Sequence, residues 1–230
     1  MKHKEILPEF PKIQHLPWKP NLGEGDTIAE EVSIIFESPY VCVEEKVDGS
    51  FCGISLYEKH PVIRNRNRFL KKSDRNKNFA QKQFNTIWNW FYKNKKLFEK
   101  INTIAGTVSV YGEWMYAQHG IEYNKLPSLF IAYDLYDYEK KRFLEANESI
   151  RLLNEAGFST PPILTNSIDN YEQLEELTKQ PSPFTNKAMR EGIVIKVSKD
   201  GKYNEVSYKM IREDFKQGEL WASYQLNQME

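Results

Sequence analysis

The chain has 230 residues, 40% of them apolar and 13% aromatic, and its 32 lysines and arginines balance 32 aspartates and glutamates. With a mean hydropathy of -0.66, this is the composition of one substantial core with a well-solvated surface, not of a disordered or membrane-embedded chain. No apolar run approaches bilayer-spanning length, and Met1 to Phe10 is charged where a signal peptide is apolar, so a cytoplasmic location without membrane association is expected; a monomer is the default expectation.

The segment up to Pro39 is rich in proline and glycine (Pro8, Pro11, Pro17, Pro20, Gly23, Gly25) and reads as an irregular arm over residues 1–39, with one strand at Val32 to Phe36. From Tyr40 the pattern changes. Tyr40 to Glu45, Gly53 to Tyr57 and Val62 to Asn65 read as short strands, and Cys42 and Cys52 inside the first apolar runs read as small buried residues, not as disulfide or zinc ligands. Phe84, Ile87, Trp88, Phe91 and Phe98 fit a helical period, which predicts a helix from Asp74 to Lys100 whose aromatic stripe is core packing. Strands follow at Gly106 to Trp114 and Leu129 to Tyr136. Helices are expected at Glu148 to Ala156, stopped by Gly157, and at Asp169 to Lys179, capped by Asp169. The chain returns to strand at Gly192 to Val197, turns at Asp200-Gly201 and runs on from Glu205 to Ile211. The fold class is α+β, a single domain over residues 40–230 with mainly antiparallel sheets flanked by helices.

The neutral total hides an uneven distribution. Arg64, Arg66, Arg68, Lys71, Lys72, Arg75, Lys77 and Lys82 crowd one stretch in which Asp74 is the only acid. Such a stretch serves equally as a phosphate-binding face or as a solvated helix surface.

Chemistry-bearing residues fall in four clusters. In Glu45-Lys46-Val47-Asp48-Gly49-Ser50 a lysine at the end of an apolar strand is followed by an acid and a turn glycine. A lysine with its ordinary pKa near 10.4 is a free amine in only about one molecule in a few thousand at neutral pH, so a nucleophilic lysine needs help. A bound cation, basic neighbours and desolvation would all favour the neutral amine. The remaining clusters are Tyr111-Gly112-Glu113-Trp114-Met115-Tyr116, then Arg190-Glu191-Gly192-Ile193-Val194-Ile195-Lys196, then Tyr208-Lys209-Met210-Ile211-Arg212. Each alone has an innocent reading, since Lys-x-Asp-Gly arises often by chance and strand-end acids commonly face water.

Their order carries more. Lys-x-Asp-Gly, an aromatic-flanked Gly-Glu, the strand Phe130-Ile131-Ala132-Tyr133-Asp134, Glu-Gly-x-Val-x-Lys and a final Lys-bearing strand together resemble the covalent nucleotidyltransferases: DNA ligases, RNA ligases and messenger-RNA capping enzymes. His15-Leu16-Pro17-Trp18 and the run from Gly112 through Trp114, His119 and Tyr123 to Phe130 are most similar to small RNA ligases, the branch that includes the Deinococcus and Naegleria enzymes. The resemblance covers residues 10–221.

It implies an ATP-grasp-like ligase adenylylation domain and an ATP-dependent RNA ligase that joins 3′-hydroxyl and 5′-phosphate RNA ends through a lysyl-AMP and an adenylylated RNA end. ATP is then the AMP donor, magnesium or manganese the cation, and broken RNA the partner, with an end-healing or RNA-holding protein beside it. Lys46 would be the nucleophile. Asp48, Glu113 and Glu191 would surround the metal or its water shell, with Glu113 also reaching the ribose and Glu191 sharing catalysis with Lys209 at the α-phosphate. Glu45, Arg66, Tyr133 and Lys196 would complete the nucleotide site. Arg64 and Arg68 are alternatives to Arg66, and Tyr133 either stacks on adenine or packs in the sheet. Many relatives carry a second lysine two residues after the position of Lys209, where Ile211 stands here, so Lys196 or Arg212 is the candidate for that role. No separate oligonucleotide-binding domain is expected after the match. A GTP-using capping-type enzyme and an inactive RNA-end-binding module are the alternative readings.

Overall fold

Hydrophobic alternation and turn chemistry lay the chain into two five-stranded sheets. The computed structural model describes residues 3–18, 20–75, 78–216 and 225–230. In chain order the strands are β1 (Gln14–His15), β2 (Tyr40–Lys46), β3 (Ser50–Tyr57), β4 (His60–Asn65), β5 (Val108–Trp114), β6 (Phe130–Asp137), β7 (Arg142–Phe143), β8 (Ile163–Thr165), β9 (Gly192–Ser198) and β10 (Asn204–Ile211). The first sheet runs β1-β10-β9-β2-β8 and the second β4-β3-β5-β6-β7. Among these strands pairing is antiparallel except where β1 lies parallel to β10.

Alternation along β2 and β9 sorts the two faces of the first sheet. Val41, Val43, Ile193, Ile195 and Val197 point outward onto Leu174 and Leu177 of the helix Tyr171–Thr178. Glu44, Lys46, Val194 and Lys196 point the other way, into a cleft shared with Glu113 and Tyr133 of the second sheet. The outer face of that second sheet packs Ile54, Val110, Phe130 and Leu135 against Phe84, Phe91, Phe98, Leu152 and Leu153. Each sheet therefore spends one face on a core; on the other face of the second sheet Glu113 and Tyr133 reach the cleft, while Phe51, Val62 and Tyr111 pack with Leu7 and Phe10 of the N-terminal arm.

Most expected elements are present, with three differences. Val32 to Phe36 is not a strand: Ile34–Glu37 makes one helical turn. The edges of the first sheet are occupied by β1 and β8, and Ile35 instead enters the core beside Val41 and Val43. The helix expected from Asp74 to Lys100 is broken into Phe79–Lys82, a 3-10 turn at Gln83–Thr86, Ile87–Lys93 and Lys95–Ala105. Trp114 Nε1 donates to the Gln83 carbonyl at 2.9 Å, and the Asn94 side chain donates to Trp90 O at 2.9 Å, competing with the helical ladder at the break. Lys77 of the basic stretch lies outside the described residues. The third difference is the cap of Tyr171–Thr178, which is Asn170, accepting from Gln173 N at 3.0 Å, and not Asp169. The aromatic stripe is core as expected, both cysteines are buried and free, and no helix among the described residues is long and apolar enough to cross a membrane.

Gly192 opens β9 directly after Glu191, where β9 and β10 approach so closely that an added methyl would strike the Met210 carbonyl oxygen and lie 2.9 Å from Ile211 Cα. Backbone cannot yield as a side-chain tip can. Gly192→Ala is accordingly expected to lower stability by about 1–3 kcal/mol, the usual scale of overpacking. Urea unfolding checks it: an unchanged midpoint would contradict the close approach.

Candidate active site

Lys46 ends β2 on the cleft face, and its Nζ sits 2.7 Å from both carboxylate oxygens of Glu191. The cleft is a cavity of about 520 Å³, within the range of small-molecule sites. Burial works against the Lys46 ammonium, but Glu191, then Asp48 and Glu113, outweigh burial and hold its pKa above the ordinary value. This corrects the expectation of an amine activated by basic neighbours: the immediate partners of Lys46 are acids, and the free protein keeps it charged.

The three acids do gather around the lysine. Burial lifts Glu191 to about 7, opposed chiefly by Lys46, and lifts Glu113 to about 8, opposed by Lys46 and Arg66. Glu113 Oε1 accepts from the Tyr133 hydroxyl at 3.4 Å, while its buried Oε2 has no hydrogen-bond partner. Asp48 is held differently: its Oδ2 accepts from the Gly120 and Ile121 amides at 2.5 and 2.9 Å, and its own amide donates to Tyr123 Oη at 2.9 Å. No three such side chains among the described residues converge as a ready-made metal-ligand set. An orphan carboxylate oxygen beside two further acids fits a hard cation that keeps part of its water shell and binds through one or two carboxylates plus substrate phosphate.

Lys209, in β10, reaches the same cleft, but its Nζ is bonded to Asp26 Oδ1 at 2.6 Å. Asp26 Oδ2 in turn meets His15 Nε2 at 2.9 Å and accepts from Gly23 N at 3.0 Å. Burial would raise Asp26, yet Lys209, Gly23 and His15 outweigh it and hold the carboxyl at about 2. His15 is lowered by its burial and by Lys209 and Lys46, against the opposing pull of Asp26. A neutral imidazole therefore donates Nε2–H to the carboxylate.

Lys196 faces the cleft floor fully buried, with Nζ 2.6 Å from Glu44 Oε1, 2.9 Å from Asp134 Oδ1 and 3.1 Å from Tyr133 O. Burial disfavours its charge, but Asp134 and Glu44 prevail and raise its pKa. Of the three arginines considered, Arg66 lines the cleft, its guanidinium 4.6 Å over the Phe51 ring. Arg64 is buried on backbone carbonyls of Asn65, Leu7 and Arg66, and Arg68 pairs with Asp74 at 2.6 Å. Tyr133 lines the cleft with Phe10, their rings 5.8 Å apart.

Glu45 lines the cleft beside Lys46, while its carboxylate projects to the opposite face, where Arg190 Nε stands 3.9 Å away, because neighbours on a strand alternate. Arg212 lies elsewhere and pairs with Asp214 at 2.9 Å beside a second depression. Sequence reasoning gave no role to His15, Asp26, Glu44 or Asp134. The Glu44 position was legible, being two residues from Lys46 and so on the same face; Asp26 was not, lying 183 residues from Lys209.

The fold thus sets a strand-end lysine ringed by acids, and a second lysine on the last strand, in a cleft between two mainly antiparallel sheets. Residues 39–211 match the model of the RNA ligase family, and the chain belongs to that family. Its fold is similar to that of the Naegleria gruberi RNA ligase solved with pyrophosphate, at 24% identity and a TM-score of 0.57, over 88% of this chain and 58% of that one. A variant of the same protein solved with ATP and manganese matches at 21% identity and a TM-score of 0.55, covering 92% and 61% of the two chains. The chain thus spans about three fifths of the length of these structures. Among curated proteins none matches.

Two expectations separate the lysines. Lys196→Met strands two buried carboxylates and should cost about 3–5 kcal/mol in urea unfolding; a loss under 1 kcal/mol would mean that the triad is not closed. For Asp26, a carboxyl depressed to about 2 contributes stability above its unfolded value near 4 and loses it as pH falls towards 2. The stability gap between wild type and Asp26→Asn should be widest above about pH 5 and close between pH 4 and 2, whereas a gap that ignores pH would contradict the pairing.

Proposed function

We propose that this protein is an ATP-dependent RNA ligase in which Lys46 is the nucleophile. The observation that carries the reading is the lysine itself, which ends an apolar strand, faces a 520 Å³ cleft and has Glu191 at 2.7 Å. Lys209 and Arg66 offer cations to the phosphates, and Tyr133, Phe10 and Val194 offer apolar surface to the base. Membership of the RNA ligase family supports RNA ends as the acceptor.

ATP fills the cleft and excludes water from the Lys46–Glu191 pair. A dry ion pair gains by passing its proton to the carboxylate, and Glu191, already lifted to about 7 by burial, is the base within reach. The amine attacks the α-phosphorus; the N–P bond forms as the bond to the bridging oxygen breaks, and pyrophosphate departs, taking up the second proton that the nitrogen sheds. An RNA 5′-phosphate then takes AMP from Lys46, and a 3′-hydroxyl displaces AMP to close the phosphodiester. Such transfers depend mainly on positioning and charge neutralisation. A magnesium or manganese ion held by Glu113, with Asp48 and Glu191 reaching its water shell, would supply further neutralisation of the phosphates. On this reading the arm belongs to the adenylylation unit, since it brings Asp26 to Lys209.

Labelled ATP and labelled GTP, each mixed with the protein, test the reading. Covalent label is expected from ATP, followed by joining of nicked RNA. Lys46→Ala should abolish label without unfolding, because Glu191 can take up a proton once its partner is gone. Glu191→Ala and Glu113→Ala should each slow labelling by about a hundredfold, the scale of removing one preorganised electrostatic partner. Label from GTP alone would point to a capping-type enzyme, and no label from either would leave an end-binding module.

A further inference from the structure

The segment from Met115 to Leu126 leaves β5 without a ladder of its own, yet its backbone must find partners. Residues 225–230 supply them. Gln118 N donates to Gln225 O at 3.0 Å, Asn227 N to Tyr116 O at 3.3 Å, Gln228 N to Tyr123 O at 2.9 Å, and Leu126 N to Gln228 O at 3.1 Å. At the centre lies Asn227, 8% exposed. Its Nδ2 donates to Met115 O at 2.9 Å and Ala117 O at 3.2 Å, and its Oδ1 accepts from Tyr123 N at 3.0 Å. One amide thus closes both ends of the loop 115–123.

That loop is what holds Asp48. Gly120 N and Ile121 N both donate to Asp48 Oδ2, and Tyr123 Oη accepts from Asp48 N. The fit leaves no slack: a methyl on Gly120 would strike the Phe215 ring and come within 3.0 Å of Asp48 Oδ2. Asp48 follows Lys46 by two residues, and its charge acts on Lys46, Glu113 and Glu191 alike. A shift of the loop therefore moves a carboxylate beside the reacting amine.

We infer that Asn227 is a positioning residue of the nucleotidyl-transfer site, acting through the loop 115–123 to fix the carboxylate of Asp48. The inference rests on the reading of Lys46 as the nucleophile. Supports one shell removed from reacting groups are worth about 10- to 100-fold in activity. A residue distant in sequence carries such an effect here because its one amide bonds the loop at Met115, Ala117 and Tyr123.

The test uses the full chain with Asn227→Ala and Asn227→Asp, the second keeping shape and the acceptor oxygen while losing both donated bonds. Each variant is expected to speed hydrogen exchange at the Gly120 and Ile121 amides and to slow lysyl-AMP formation from ATP by about tenfold or more. In an Asp48→Asn background the same substitutions should change the labelling rate by less than about twofold, since a residue acting through Asp48 has nothing left to position. Equal losses in both backgrounds would reveal a merely structural role and overturn the inference, as would unchanged exchange or unchanged labelling. Absence of label on the wild-type protein would overturn the nucleophile reading and this inference together, so the two failures are told apart by the wild-type lane.

Discussion

The buried ammonium of Lys196 ties the two sheets together. It comes from β9 of the first sheet, pairs with Glu44 on the neighbouring β2, and crosses the cleft floor to Asp134 on β6 of the second sheet. A triad of this kind gives no assured gain in stability over well-packed apolar side chains, because desolvating three charges offsets most of their attraction. Its effect is geometric. With Lys196 in place the cleft faces of β2 and β6 have one spacing, and Lys46, two residues beyond Glu44 on the same face, is set opposite Glu113 and Tyr133.

On that frame the free protein holds the cations of the cleft in check. Lys46 is clamped by Glu191 and Lys209 by Asp26, each at hydrogen-bond distance, while Arg66 rests over Phe51. On the proposed reading, an entering polyphosphate would offer these cations new oxygen partners and take water out of the cleft. The carboxylates would then become proton acceptors or cation ligands instead of counter-charges. Burial has already raised Glu191 and Glu113 to about 7 and 8, so small changes of environment around neutral pH change their protonation.

The parts of this arrangement legible in the sequence are those with a period or a fixed order. Alternation placed the long strands, helical spacing marked Phe84, Phe91 and Phe98 as core, and the order of the clusters around Lys46, Glu113, Glu191 and Lys209 marked the site. Strands of two or three residues such as β1, β7 and β8 have too little length to show a period. The break at Asn94 depends on one side chain competing for one carbonyl. The direction of the Glu45 side chain was legible as well, since adjacent strand residues point to opposite faces: Glu45 lines the cleft, but its carboxylate turns to Arg190. Asp26 and Asn227 were beyond reach, for each acts on a partner more than a hundred residues away through an amide or carboxyl that no local pattern marks.

The central claim is that this cleft makes Lys46, and no other lysine, the carrier of AMP. The direct measurement is mass spectrometry of peptides from the protein after incubation with ATP and a divalent cation. The account predicts an AMP adduct on the peptide containing Lys46 and unmodified Lys196 and Lys209. An adduct on either of those lysines, or none at all under conditions where the protein joins RNA, would contradict it.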